Sequence, residues 1–345
     1  MAADTDRYHL AAVVHSLGRS RSREALAAAG GARAAFRRLQ ARRYRPEDLE
    51  AACRRHGLSL LTPADPAFPA LLCAIPDPPP LLYVHGDTSA LLRPTVAVVG
   101  ARRCTRGGAD VAAALAGSLA ARGVTVVSGL ARGIDTAAHR AAAAAGRTVA
   151  VIGSGLASPY PPANRGLVTA IIAGGGLLLS EYPPDAGARR HHFPERNRLI
   201  SGLARGVVVV EAGVRSGSLI TARMALEQGR EVCAVPGSVV NPAARGCHRL
   251  LRQGAALVES ADDVLDALGL TASPGILAPG VTGGLALEPG LAAICAAVGT
   301  TVTTLDEVMA ATGLSGSAAA AALVELELSG FVRRVAGGYI RRPLA

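Results

Sequence analysis

Glycine, serine and arginine recur together at the ends of short apolar runs, and that combination suits the binding of phosphate. The first such segment is Gly100-Ala-Arg102-Arg103-Cys-Thr105-Arg106-Gly107-Gly108. Glycine lets the backbone come close to a ligand, and a helix starting near Ala109 would offer free N–H groups to an anion. Arg102, Arg103 and Arg106 add forked donors matched to phosphate. Ser128-Gly129-Leu-Ala-Arg132-Gly133-Ile-Asp135 repeats the design, with Asp135 suited to cap the next helix. After Glu211, the run Gly213-Val-Arg215-Ser216-Gly217-Ser218-Leu-Ile-Thr221 adds two hydroxyls at a further helix start. Gly153-Ser154-Gly155 with Tyr160-Pro-Pro-Ala-Asn164 contributes another loop. The basic stretch Arg189-Arg190-His191-His192-Phe193-Pro194-Glu-Arg196-Asn197-Arg198 follows Ser180-Glu-Tyr182-Pro183. An aromatic such as Phe193 or Tyr182 beside clustered arginines suits base stacking joined to phosphate contact. Any one of these loops could be an ordinary βα turn with surface arginines; several on one edge imply a shared ligand.

Other chemistries fit less well. The chain has no lysine, so all 36 of its basic residues are arginine. A Walker-A lysine and a Schiff-base lysine are thereby excluded. The first loop is not GxGxxG, and Ser128-Gly129 stands after the second strand where a dinucleotide site has its acidic residue. The six cysteines are scattered without a CxxC pair and read as small core fillers; no metal or other cofactor is expected. His139 reads as a packed, hydrogen-bonded histidine rather than a general base.

The elements that must position these loops are legible in the pattern. Short apolar, mostly β-branched runs occur at 96–99, 124–127, 148–152, 177–179, 207–210 and 232–235, separated by Ala/Leu/Arg-rich stretches of helical spacing. Apolar strands alternating with helices predict an α/β domain, an extended Rossmann-like parallel sheet whose strand-end loops share one edge. Residues 1–60 look helical, broken at Gly18 and Gly30–Gly31, and predict a small helical domain of the SAM or helix-hairpin kind. The Pro-rich stretch 62–87 predicts extended chain, with a short strand at 81–84; it leads into the Rossmann-like domain, taken as 61–268. Residues 269–289 predict a linker, and 290–345 three short helices and a hairpin, a winged-helix-like domain. Charge is uneven: 19 arginines oppose 12 acids over 96–268, while 4 oppose 5 over 269–345. The basic excess on the central domain suits a polyanion. No apolar run reaches the length of a membrane span and the first ten residues lack a secretory core, so a cytoplasmic protein without membrane contact is expected.

Together these segments resemble the DprA (Smf) family of DNA-processing proteins. The resemblance rests on Val98-Val-Gly100-Ala-Arg102, Ser128-Gly-Leu-Ala-Arg-Gly-Ile-Asp135, Tyr160-Pro-Pro-Ala-Asn164, Ser180-Glu-Tyr-Pro183, Phe193-Pro-Glu-Arg-Asn-Arg-Leu-Ile-Ser-Gly202, Ser216-Gly-Ser-Leu-Ile-Thr221 and Ala234-Val-Pro-Gly237, with Asp77-Pro-Pro-Pro-Leu-Leu-Tyr83 leading in. It implies binding of single-stranded DNA, homodimerisation, and loading of the RecA recombinase onto incoming strands in natural transformation, without catalysis. Carried over by motif, the DNA surface would comprise Gly100, Arg102, Arg103, Arg106, Gly107, Ser128, Gly129, Arg132, Gly133, Phe193, Arg196, Asn197, Arg198, Ser216, Gly217 and Ser218. His248 departs from the family pattern, which has Asn after Gly-Cys. The rival reading is a Rossmann-like nucleotide phosphoribohydrolase, but Thr221 stands where that group needs its glutamate. A duplex-reading tail is the third, set against the net charge of −1 over 269–345.

Overall fold

A computed structural model describes residues 2–39, 43–270, 289–299, 301–328, 331–335 and 337–341. The chain divides into two compact units, Met1–Ile276 and Leu277–Ala345. Apart from its ends, the expected linker at 269–289 lies outside the described residues.

The first unit opens with four helices, α1 (Ala2–Leu17), α2 (Arg19–Ala29), α3 (Ala32–Arg38) and α4 (Pro46–Arg55). Gly18 and Gly30 separate the first three with φ of 80° and 72°, a backbone region that glycine enters without a Cβ penalty. Helix α4 begins on Pro46 followed by Glu47 and Asp48, which suit the positive end of the helix. Strand β1 (Ser59–Leu61) then pairs antiparallel with β2 (Leu82–Gly86), Leu60 opposite Tyr83, and the short helix α5 (Ala70–Cys73) interrupts the Pro-rich segment between them. The boundary expected at residue 60 therefore falls inside β1. Val13, Phe36, Leu49 and Cys53 from the helices share one core with Leu81, Tyr83 and Leu178, so the helices and the sheet bury each other's apolar faces.

The expected strands appear as β3 (Thr95–Val99), β4 (Thr125–Ser128), β5 (Thr148–Val151), β6 (Leu177–Ser180), β7 (Gly206–Val209) and β8 (Glu231–Ala234), with β9 (Ala256–Leu257) at the edge. Between them run α6 (Arg106–Ala121), α7 (Ile134–Ala143), α8 (Arg165–Ala173), α9 (His192–Leu203), α10 (Ser218–Glu227) and α11 (Arg245–Arg252), and α12 (Ala261–Ala267) follows β9. The strand order is β1-β2-β6-β5-β4-β3-β7-β8-β9. All pairings from β6 to β9 are parallel, whereas β2 meets β6 antiparallel with Val84 opposite Leu179. The sheet is thus mixed at one edge: β2 enters before any crossover helix and no crossover rule fixes its direction. Along β3, Val96 and Val98 face α6 and α7 while Ala97 and Val99 face α9 and α10, so helices cover both faces.

The chain winds outward from β3 through β4, β5 and β6, then returns to place β7 on the other side of β3. The connections after β3 and β7 leave in opposite directions, and a crevice opens between them at the strands' carboxyl ends.

The second unit holds α13 (Pro289–Ala297), α14 (Leu305–Thr312) and α15 (Gly316–Leu328), followed by the hairpin β10 (Val332–Val335) and β11 (Gly338–Arg341). Ile294, Val298, Val308, Leu323, Leu326 and Val332 form its core, and Thr304 with Glu307 makes a reciprocal cap on α14. Three helices and a hairpin stand where they were expected. Among the described residues no single helix is long and apolar enough to cross a membrane.

Candidate nucleic-acid interface

The crevice at the β3/β7 switch has a volume of about 1060 Å³. It is lined by the loop Gly100–Arg103, the loop Gly213–Ser218, the start of α9, and Tyr160. Two glycines set the walls. A Cβ on Gly100 would lie 2.5 Å from Ile134 Cγ1, and one on Gly133, at φ 79°, would lie 2.2 Å from the Ala101 carbonyl oxygen. These positions admit only hydrogen, which lets the loops after β3 and β4 close against each other.

Arg102 and Phe193 meet across the crevice, the guanidinium carbon lying 5.3 Å from the ring centre. Tyr160 also packs on Phe193, with ring centres 5.6 Å apart and the planes tilted by 49°, and remains 46% exposed. The aromatic partner of Phe193 is therefore Tyr160 rather than Tyr182. Tyr182 stacks on His192 at 3.8 Å and donates its hydroxyl to Glu195 Oε2 at 3.1 Å, outside the crevice. The motif Tyr160-Pro161-Pro162 was the available sign of Tyr160's place.

The other site residues separate into groups. Arg103, Asn197, Ser216, Gly217 and Ser218 line the crevice, joined by Arg190 and Arg215. The Ser216 and Ser218 hydroxyls lie 2.7 Å apart at the start of α10. Arg106, Gly107 and Arg132 are exposed but outside the crevice lining. Ser128 is fully buried and donates to the Val98 carbonyl at 2.6 Å, which ties β4 to β3 and leaves no hydroxyl for a ligand. Arg198 is buried too, and pairs with Glu181 at 2.6 Å and Asp77 at 3.2 Å. Those carboxylates hold it on the far side of α9, away from the crevice.

Arg196 forms the crevice floor and is 4% exposed. Its Nη1 donates to the Gly129 carbonyl at 2.7 Å and to the Val151 carbonyl, spanning the ends of β4 and β5. Asp135 lies beneath, accepting the N–H groups of Gly129 at 3.1 Å and Ala131 at 3.3 Å. Burial raises the Asp135 carboxyl, opposed by the Arg196 charge; burial pulls Arg196 down to about 10, opposed by Asp135. Arg196 thus acts mainly as a strut. His139, one turn beyond Asp135, is fully buried beside Thr148 Oγ1 at 2.7 Å, as a packed histidine should be.

Glu211 is a residue to which the sequence assigned no role. Its carboxylate accepts the Thr105 N–H at 2.8 Å and the Asn241 amide at 3.3 Å, while its own carbonyl accepts the Ala101 N–H at 2.6 Å. The start of α6, expected to offer N–H groups to a ligand, has this carboxylate on its N-cap residue Thr105, whose hydroxyl caps the Gly108 N–H. The pairing joins residues 106 apart in the chain, which no local pattern displays. The cysteines are all free, and the described residues contain no group of metal-ligating side chains.

Residues 59–269 match the family model described as DNA recombination-mediator protein A. The chain belongs to the DprA (Smf) family. Residues 283–338 match the DprA winged helix domain. Protein Smf of Escherichia coli is 43% identical over 290 residues, covering 81% of this chain and 77% of the relative. The DNA processing protein DprA of Streptococcus pneumoniae is 48% identical over 202 residues, 58% of this chain and 71% of the relative. The X-ray structure of S. pneumoniae DprA superposes with a TM-score of 0.61 at 37% identity, covering 76% of this chain and 94% of that one. A Helicobacter pylori DprA structure, described for its single-stranded DNA binding mode, gives 0.56 at 31%, covering 61% and 95%. Where this DprA-family chain has His248, its Nε2 pairs with the Gly237 carbonyl at 2.9 Å and tethers the loop after β8 to α11.

Proposed function

We propose that this protein binds single-stranded DNA in the β3/β7 crevice and loads the RecA recombinase onto it, as a homodimer in the cytoplasm, during natural transformation or recombination. The observation that carries the DNA reading is the lining of the crevice. Among the described residues it presents Arg102, Arg103, Arg190, Arg196 and Arg215 against a single carboxylate, Asp135, which is buried. The cluster of Arg102, Phe193 and Tyr160 adds aromatic faces of the kind on which unpaired bases rest. Arginines hold successive phosphates while bases stack, which gives little sequence preference. The description of the H. pylori relative agrees with this ligand. The reading includes no catalysis: Thr221, where the hydrolase reading needs a glutamate, is buried in the crevice wall, and Asp135 is engaged by two backbone N–H groups. RecA loading and dimer formation rest on family membership.

Fluorescence anisotropy with matched single- and double-stranded oligonucleotides across a salt series tests the ligand. Preference for the single strand is expected, with a log–log slope of about −0.7 per phosphate neutralised. Equal affinity for duplex and single strand would reject it. RecA filament assembly on single strands, followed with and without the protein, tests the loading step.

A further inference from the structure

Glu211 places a negative charge where parallel α/β proteins ordinarily receive a phosphate from their ligand. The first turn of α6 follows the central strand β3 at the topological switch, the position at which helix N–H groups commonly hold an anion. Here a carboxylate of the chain itself stands at that position, bonded to the N-cap residue Thr105. Glu211, 4% exposed, takes the Thr105 N–H, and Thr105 Oγ1 in turn takes the Gly108 N–H at 3.0 Å. Gly108 is required by the same arrangement, since a Cβ there would lie 2.3 Å from Glu211 Oε2.

The same residue, through its carboxylate and its backbone carbonyl, joins three segments of the crevice. Thr105 and Ala101 belong to the loop that carries Arg102 and Arg103, Glu211 begins the loop that carries Arg215 and Ser216, and Asn241 precedes the lining residues Pro242 and Ala243. A buried acceptor bonded to two segments at once fixes their separation.

We infer that Glu211 is a specificity-determining residue: a built-in anion that denies the start of α6 to the terminal phosphate of a free nucleotide and leaves the ligand to the rim arginines. A mononucleotide concentrates its charge on one phosphate and depends on such a helix start. A DNA strand offers a row of single charges, which Arg102, Arg103, Arg190 and Arg215 hold without it. This inference rests on the single-strand reading for its ligand, but the anion role of Glu211 is testable apart from DNA.

The test displaces a fluorescent oligothymidylate with thymidine 5′-monophosphate from the full chain, Glu211→Ala and Glu211→Gln. The monophosphate should compete at about tenfold lower concentration with Glu211→Ala than with the parent, and in the same direction with Glu211→Gln, which keeps the volume but removes the charge. Equal sensitivity in all three proteins overturns the inference. A second arm follows the melting temperature in sodium formate against sodium chloride at equal ionic strength. Formate should stabilise Glu211→Ala more than the parent by refilling the carboxylate site; an equal response overturns the built-in anion. If no protein binds the oligonucleotide, the single-strand reading fails while the formate arm still decides the role of Glu211. If Glu211→Ala does not fold, formate should restore folding, and Glu211→Gln carries the competition arm.

Discussion

Asp135 and Arg196 converge on Gly129 so closely that a Cβ at residue 129 would lie 2.8 Å from both Asp135 Oδ2 and Arg196 Nη2. Neither atom can retreat freely, because Arg196 is bonded to the Gly129 and Val151 carbonyls and Asp135 to the Gly129 and Ala131 N–H groups. Gly129→Ala is therefore expected to destabilise the protein by about 1–3 kcal/mol, as overpacking does. Arg196→Ala leaves Asp135 buried without its countercharge and is expected to cost about 3–5 kcal/mol. Urea unfolding of both variants measures this; a parent-like midpoint for Arg196→Ala would show that its role is confined to ligand contact.

Arg102 and Phe193 touch each other yet serve different parts of a nucleotide. Arg102→Ala should weaken every single strand alike and reduce the magnitude of the salt slope by about 0.7, one phosphate contact. Phe193→Ala should cost about 1–3 kcal/mol per stacked base and leave the salt slope unchanged. Anisotropy titrations at several salt concentrations separate the two. A slope change in Phe193→Ala equal to that in Arg102→Ala would contradict the division of labour.

Strands β3 to β8 were legible because each is a short continuous apolar run, mostly of β-branched residues, and a parallel sheet then places the loops after β3, β4 and β7 on one edge. What the pattern could not resolve is direction around a helix. Arg196, Asn197 and Arg198 are adjacent in sequence but turn by about 100° per residue, so they cannot share a face. Arg196 becomes the floor, Asn197 meets the crevice, and Arg198 reaches Asp77 and Glu181 on the far side. Ser128 shows the same limit in a strand, its hydroxyl turned into the sheet toward Val98. Tyr160 and Glu211 depend on partners far away in sequence, Phe193 and Thr105, and only the fold brings them together.

Stability should depend on pH through His139. Thr148 Oγ1 already donates to the Val126 carbonyl, so His139 Nδ1–H donates to Thr148. Burial lowers the imidazole to about 3, against about 6.5 in an unfolded chain. Between those values the unfolded chain takes up a proton that the native protein does not. The stabilisation is complete above about pH 6.5 and is lost as pH falls toward 3. His15, also lowered by burial to about 3, acts with the same sign; Asp135 and Glu181, raised by burial, act with the opposite one. The contribution of His139 is isolated by comparing His139→Gln with the parent in urea unfolding. The parent should lose about 2 kcal/mol more than the variant between pH 8 and pH 5. Parallel pH profiles would show that His139 is protonated in the native state.

Arg198 should behave as the inverse of Arg102. Its guanidinium joins Glu181 and Asp77, and Asp77 also pairs with Arg19 at 3.0 Å and Arg23 at 3.0 Å from α2. The arginine thus stands at the centre of a network that ties the amino-terminal helices, the Pro-rich segment and α9 together. Exposed pairs such as Arg23–Asp77 contribute little, because water screens them. Arg198 and Glu181 are both buried, so Arg198→Ala leaves the carboxylate only the longer pairing with Arg19 at 3.6 Å and should cost about 3 kcal/mol. The loss should appear as earlier proteolysis within residues 1–60 and a lower urea midpoint, with the salt slope of DNA binding unchanged. Replacing both partners, Arg198→Met with Glu181→Leu, removes the under-compensated buried charge and should recover much of the lost stability. A reduced salt slope in Arg198→Ala, without loss of stability, would return this residue to the DNA surface.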